Sequence, residues 1–132
     1  MTYLLDTNVC IRYLNGQSQP VMRRLQQESP EEIVVCSVVK AELFYGAQRS
    51  QNPERTLGHQ LRFLAPLRSF SFDDAAAEQY GQIRANLATQ GIPIGPNDLM
   101  IAAIALANQL TLVTHNVREF SRVSGLSIED WE

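Results

Sequence analysis

The sequence predicts an α/β fold, a three-layer α/β/α domain built around a mainly parallel central sheet. Short apolar runs typical of buried strands recur at wide intervals, and the longer segments between them have helical periodicity and capping residues. Strands that alternate with helices of this length are joined by right-handed crossovers, which place helices on both faces of a parallel sheet. With 132 residues, the chain is expected to form a single domain over residues 1–132.

Five segments are predicted as strands, because each is a short run rich in apolar residues. The first and second are apolar throughout, which indicates strands buried on both faces. In chain order the five segments are Tyr3–Leu5, Ile33–Cys36, Phe70–Phe72, Leu110–Val113 and Leu126–Ile128.

The helices are predicted from their punctuation. Ser37 is placed to cap a helix that continues to about Gln48. Asn52 followed by Pro53 is typical of a cap and first helical turn, and that helix is expected to reach about Leu67.

Two further helices follow. Asp73 or Asp74 is placed to cap a helix that stops at Gly91. The segment after Gly95-Pro96-Asn97 is apolar almost all round, which predicts a central buried helix.

The composition indicates a soluble globular protein, with 45% hydrophobic and 19% charged residues. No apolar run is long enough for a membrane helix, and no signal peptide is recognisable at the N-terminus. Cys10 and Cys36 are isolated thiols without metal-binding spacing, so a cytoplasmic location is expected. The net charge of −3 argues weakly against a nucleic-acid partner, although ten arginines against one lysine suit phosphate recognition.

Three acidic residues are expected at one edge of the sheet. Asp6 follows the first strand, Glu42 lies on the helix after the second strand, and Asp98 begins the buried helix. In an open α/β sheet, ligands bind outside the carboxyl ends of the strands. Each acid alone also has a structural explanation, as a helix cap, a solvated helix residue or a complement to the helix dipole. Together they would repel one another strongly unless cations neutralised them.

Asn116 and Glu119 follow the fourth strand and are expected at the same edge. The predicted ligands are thus oxygen atoms, which favours Mg²⁺, or Mn²⁺ as a substitute, over Zn²⁺. His115 is interpreted as a loop residue and His59 as a surface residue. Mg²⁺ held by carboxylates lowers the pKa of a bound water and suits hydrolysis of a phosphodiester, so the pattern indicates a nuclease.

Four blocks of the sequence resemble PIN-domain ribonucleases and, more narrowly, VapC toxins of bacterial type II toxin–antitoxin systems. The likeness extends over nearly the whole chain, and the blocks occur in the order and at the spacing of that family. They are Leu4–Asn8, Ala41–Ala47, Ile94–Ala103 and Leu112–Phe120.

The resemblance implies a PIN fold, Mg²⁺-dependent endoribonuclease activity and a homodimer. It also implies a small antitoxin, encoded alongside, that blocks the site, and a structured RNA such as tRNA, cut near the anticodon, as the substrate. Asp6, Glu42 and Asp98 match the three core acids of the family.

The fourth acidic position of the family is occupied differently here. Many PIN domains have Asp where this chain has Asn116, and an amide does not carry the charge of a carboxylate. Glu119, about one helical turn further on, is placed to supply that charge. Thr7, Asn8 and Thr114 are expected to orient ligands or waters around the acids.

Three other classes of protein are alternatives to a nuclease. A haloacid-dehalogenase-type phosphatase or a receiver domain needs a lysine late in the chain, and the phosphatase also needs an acid where Asn8 stands. The only lysine is Lys40, so neither alternative fits. The remaining alternative is a non-catalytic PIN domain that binds RNA or protein, for which Asn116 is the main argument.

Overall fold

The computed structural model describes residues 1–132 and contains one sheet of five parallel strands. The strand order is β3-β2-β1-β4-β5, so the first strand of the chain lies at the centre of the sheet. This arrangement confirms the predicted α/β class and makes the sheet entirely rather than mainly parallel. The strands are β1 (Tyr3–Leu5), β2 (Ile33–Cys36), β3 (Arg68–Phe70), β4 (Thr111–Val113) and β5 (Ser127–Glu129).

Seven α-helices cover the sheet. A short 3₁₀ turn at Pro30–Glu32 leads into β2, and no helix is long and apolar enough to cross a membrane. The helices are α1 (Thr7–Leu14), α2 (Gln19–Gln27), α3 (Ser37–Gln48), α4 (Pro53–Leu64), α5 (Asp74–Gln90), α6 (Pro96–Ala107) and α7 (Val117–Phe120).

The capping predictions for the helices are mostly confirmed. The side chains of Asn52 and Asp73 accept hydrogen bonds from the first turns of α4 and α5, and Gly91 ends α5 with a positive φ of 71°. The prediction for Ser37 is wrong, because Ser37 is the first helical residue of α3 and Cys36 occupies the cap position. The Ser37 hydroxyl instead donates to the carbonyl of Phe70 on β3.

Some predicted boundaries are also wrong. Helix α4 ends at Leu64 rather than Leu67, because Pro66 has no backbone N–H with which to continue the helical hydrogen bonds. Strand β3 starts and ends two residues before the predicted segment, since its register with β2 pairs Cys36 with Phe70. Strand β4 begins at Thr111, one residue later than predicted, and β5 is likewise shifted by one residue.

Helix α6 forms the centre of the core on one side of the sheet, as its all-round apolar pattern predicts. Ile101 to Ala105 are completely buried, and the small side chains among them allow α5 to pack closely against α6. The first two strands are also buried at every position. This continuous core fixes the carboxyl ends of β1, β2 and β4 and the starts of the neighbouring helices.

The C-terminal segment is attached to the sheet through Arg24 on α2. The Arg24 guanidinium lies 4.7 Å from the centre of the Trp131 ring and 5.6 Å from that of Tyr3. It also donates hydrogen bonds to Glu28 at 2.7 Å and Glu129 at 3.2 Å. Because Trp131 is 6% exposed and its indole N–H donates to Glu129, this cluster holds β5 against β4 and α2.

Replacing Trp131 by Ala should lower the free energy of unfolding by about 3 kcal/mol, because the ring is buried and its removal leaves a cavity. Replacing it by Phe keeps the stacking and should cost about 1 kcal/mol, the value of one lost hydrogen bond. Urea unfolding of both variants measures the difference. If the Ala and Phe variants lost the same free energy of unfolding, the ring would contribute nothing beyond the hydrogen bond of its N–H.

Candidate active site

Asp6 lies at the carboxyl end of the central strand and caps α1. Its carboxylate accepts a hydrogen bond from the Val9 amide at 2.9 Å, and its own backbone N–H donates to the Val113 carbonyl of β4 at 3.1 Å. The residue is only 6% exposed. The capping role and the position in an acidic site, weighed above as alternatives, are therefore combined in one residue.

Glu42 lies in the second turn of α3 and is half-buried, in agreement with the sequence pattern. One carboxylate oxygen accepts a hydrogen bond from the Thr7 hydroxyl at 2.5 Å, and the other accepts from the Asn97 amide at 3.3 Å. The start of α1 and the start of α6 thus both fix the orientation of this carboxylate.

Asp98 and Glu119 approach each other within hydrogen-bond distance, from the first turn of α6 and from α7. Glu119 accepts a hydrogen bond from the Gly95 amide at 3.3 Å through one oxygen, and from the Asn116 side chain at 2.5 Å through the other. Asn116 therefore positions Glu119, and the carboxylate on this side of the site belongs to Glu119.

The pKa values show that the acids share one electrostatic environment. The pKa of Asp98 is raised to about 7, mainly by burial and then by the charges of Glu119, Glu42 and Asp6. Burial also raises the pKa of Asp6, while the hydrogen bonds from Thr114 and the Val9 amide lower it. The structure therefore brings together the acids that the sequence placed at one edge, although they come from segments as distant as residues 6 and 119.

Of the polar residues expected around the acids, some contact them and others do not. The Thr7 hydroxyl hydrogen-bonds directly to Glu42, whereas the Thr114 hydroxyl accepts from the backbone amide of Asn116 at 3.0 Å and lowers the pKa of Asp6. Asn8 is exposed and lines a cavity of about 500 Å³ beside Asp6. His115 lines the same cavity, and its ring pairs with Asp130 at 3.1 Å rather than with the acids.

The contributions of Asn97 and of the Gly95 amide were not assigned from the sequence. Both belong to the Gly95-Pro96-Asn97 turn, which the sequence indicates as the start of α6 and as part of a block that resembles the PIN family. The partners of Asn97 and Gly95 are 55 and 24 residues away along the chain. The only local sign of a further role for Asn97 is that its side-chain amide stands in a turn, directly before the acid Asp98.

The donor chemistry of the site fits a hard divalent cation. Its side chains offer carboxylate, amide and hydroxyl oxygens, the ligands that Mg²⁺ prefers, and the acids raise the pKa of Asp98 as uncompensated like charges do. No three of the Asp, Glu, His and Cys side chains converge as a ready-made set of ligands. Each carboxylate oxygen of Glu42 and Glu119 accepts one hydrogen bond from a neighbouring group and keeps a second lone pair for a cation.

Comparison with known proteins agrees with this geometry. Residues 3–126 match the PIN domain family, which defines the class of the protein. The chain is 44% identical to the tRNA(fMet)-specific endonuclease VapC of Shigella flexneri, covering 99% of this chain and 98% of the relative. It is 36% identical to ribonuclease VapC2 of Rickettsia felis, covering 100% of this chain and 99% of that protein.

Solved structures give the same result. The DNA-bound VapBC complex of Salmonella typhimurium contains a chain that is 39% identical, with a TM-score of 0.94 over 100% of this chain and 99% of the other. VapBC2 of Rickettsia felis, bound to a DNA fragment from its promoter, matches with 34% identity and a TM-score of 0.91 over 100% of both chains. The chain belongs to the PIN domain family and, within it, to the VapC toxins, the ribonuclease components of VapBC toxin–antitoxin systems.

Replacing Asp98 by Asn should stabilise the protein in EDTA at about pH 8 and have little effect at about pH 4. The pKa of Asp98 in the folded protein is about 7, above its ordinary value of 3.8. Between these values the folded state binds more protons than the unfolded state, so the free energy of unfolding falls as the pH rises. Asn carries no such penalty.

Urea unfolding of both proteins across this pH range measures the effect. The difference between variant and wild type should grow from about pH 4 to about pH 7 and then level off. Parallel pH profiles for the two proteins would show that Asp98 is not destabilised by its neighbours.

Proposed function

We propose that the protein is a Mg²⁺-dependent endoribonuclease that cleaves structured RNA, with tRNA cut near the anticodon as its substrate. The observation that carries this proposal is the grouping of Asp6, Glu42, Asp98 and Glu119 at the carboxyl edge of the sheet. The substrate class is supported by the relatives from Shigella flexneri and Salmonella typhimurium, which are 44% and 40% identical and are described as tRNA(fMet)-specific endonucleases. Mn²⁺ is expected to substitute for Mg²⁺.

The residues of the chain would contribute mainly by positioning. Asp6, Asp98 and Glu42 are the side chains that would hold Mg²⁺, with Glu119 as a further acid and Asn116 as its support. When bound, Mg²⁺ would offset the charges of the acids and of the phosphodiester and assist the activation of water.

Hydrogen bonds from the scaffold limit how far the acids can move. Asp6 is held by α1 and β4, Glu42 by Thr7 and Asn97, and Glu119 by Gly95 and Asn116. At neutral pH Asp98 is partly protonated, because its pKa is about 7. Preorganisation of this kind lowers the cost of arranging charges around the reacting phosphate.

The proposed partners are a cognate antitoxin and a second copy of the chain. The similar solved structures from Salmonella typhimurium and Rickettsia felis are VapBC complexes, which supports an antitoxin that binds this protein. The homodimer implied by the family resemblance remains a prediction.

The second candidate is a PIN domain that binds RNA or protein without cutting it. It is favoured only by the amide of Asn116 at a position where many relatives carry an acid. The structure weakens that argument, because Asn116 supports the carboxylate of Glu119 instead of leaving the position without charge.

The discriminating experiment incubates the purified protein with total bacterial RNA in Mg²⁺ or in EDTA. Wild type in Mg²⁺ should give discrete fragments. EDTA, Asp6→Asn, Glu42→Gln and Asp98→Asn should each reduce cleavage by roughly 100-fold or more. Thermal unfolding of each variant is the control, because a variant that melts far below wild type would mark its acid as structural. Intact RNA in every lane, including one with purified initiator tRNA, would support the binding module.

A second pair of variants tests the role of Glu119. Glu119→Gln removes a charge from the site and should reduce cleavage more than Asn116→Ala, which removes only a supporting hydrogen bond. The loss for Asn116→Ala should be at most about tenfold. Single-turnover cleavage rates at saturating Mg²⁺ measure both effects. The reverse order would assign the direct role to Asn116.

A further inference from the structure

The positive charge of this acidic protein is concentrated in one part of the chain. Residues 40–70 contain five basic and two acidic side chains, whereas the rest contains six basic and twelve acidic ones. The segment therefore has a net charge of +3 in a chain of net charge −3. None of its basic side chains forms an ion pair, since the pairs of the structure involve only the N-terminus, Arg12, Arg24 and His115.

Helix α3 presents an aromatic ring and a guanidinium in line with Glu42. Tyr45 and Arg49 lie three and seven residues after Glu42, so the three side chains share one face of the helix. Tyr45 is 64% exposed, and the Arg49 guanidinium lies 4.7 Å from the centre of its ring. An exposed ring beside an unpaired guanidinium is the combination with which proteins stack on unpaired bases and hold the adjoining phosphate.

A groove of about 400 Å³ starts at Glu42 and runs between α1, α3 and α4. We call it the α3–α4 groove. Only three of its ten lining residues are hydrophobic. Its wall at α3 includes Gly46 and, just after the helix, Ser50, and its wall on α4 includes His59 and Gln60.

Two features of the groove suit a ligand that carries both hydrogen-bond donors and negative charge. Gln60 donates to the Leu43 carbonyl at 2.9 Å, and its own amide oxygen is buried without a hydrogen-bond partner. Arg55 and Arg62 lie four residues before and three after His59, so they share a face of α4 with a residue of the groove wall. The groove is therefore bordered by unpaired arginines on α4 and by the Tyr45–Arg49 pair on α3.

We propose that the α3–α4 groove binds the single-stranded RNA next to the scissile phosphate. Tyr45 stacks on an unpaired base, and Arg49, Arg55 and Arg62 contact backbone phosphates. This inference rests on the proposed nuclease function, because the groove begins at Glu42. RNA is favoured over a protein segment, since the cations that border the groove have no carboxylate partners.

The test measures binding of a fluorescein-labelled anticodon stem–loop of initiator tRNA in Mg²⁺. All proteins carry Asp6→Asn, so that the RNA stays intact. Tyr45→Ala should weaken affinity between about fivefold and 150-fold, whereas Tyr45→Phe should keep it. Arg49→Gln and Arg62→Gln should each reduce the slope of log affinity against log salt by about 0.7. Arg23→Gln, which removes an exposed arginine on α2, is the matched control.

A blocking variant tests the groove without removing charge. A side chain added at Gly46 would meet no atom within 4 Å and would extend into the groove, so Gly46→Met should fold normally and lose affinity. Gly81→Met on α5, where the surroundings are equally open, is the control and should bind like the parent.

The outcomes separate this inference from the function it rests on. If wild type cuts initiator tRNA but Tyr45→Ala, Arg62→Gln and Gly46→Met bind the stem–loop like the parent, the groove does not hold RNA. If these variants keep RNA affinity and lose only the cognate antitoxin, the groove is a protein-docking surface and the inference is overturned. If wild type neither cuts nor binds tRNA or total RNA, the proposed function itself fails.

Discussion

Repulsion among the acids at the carboxyl edge of the sheet is the constraint on which the rest of the structure depends. Asp6, Glu42, Asp98 and Glu119 come from four separate helices or helix caps, and burial together with the charges of the other acids raises the pKa of Asp98 to about 7. An isolated set of side chains would turn away from one another. Here a buried parallel sheet and the apolar helix α6 fix the backbone, and hydrogen-bond donors on neighbouring elements fix the carboxylates. The stability of the core therefore offsets the cost of a charged site.

The sequence predicted the structure correctly where a segment has a composition that is stable in only one kind of environment. The continuous apolar runs of β1 and β2 and the all-round apolar α6 could be predicted because such segments are stable only when buried. Asp6 could be placed at a strand end because it directly follows the apolar run of β1. The boundaries of β3 were less accessible, because an edge strand depends on pairing with β2, a contact that is distant along the chain.

The finer arrangement of the site lay beyond sequence reasoning. Asn116 and Glu119 were both expected near the acids, but only the structure shows that the amide holds the carboxylate. The bond between Asn97 and Glu42 joins residues 55 positions apart, and no local pattern marks it. The net charge of −3 is a poor guide to nucleic-acid binding, because it is the sum of an acidic site and of residues 40–70, which carry a net charge of +3.

The sheet order has a consequence for the newly made chain. Strands β1, β2 and β3 form one half of the sheet, but the Val113 carbonyl that binds the Asp6 N–H and the carboxylate of Glu119 arrive only with β4 and α7. Domains generally fold as units as the chain leaves the ribosome. A nascent chain that has not released residues 111–132 would therefore have no complete acidic site, and a translation product truncated before β4 would lack that site as well.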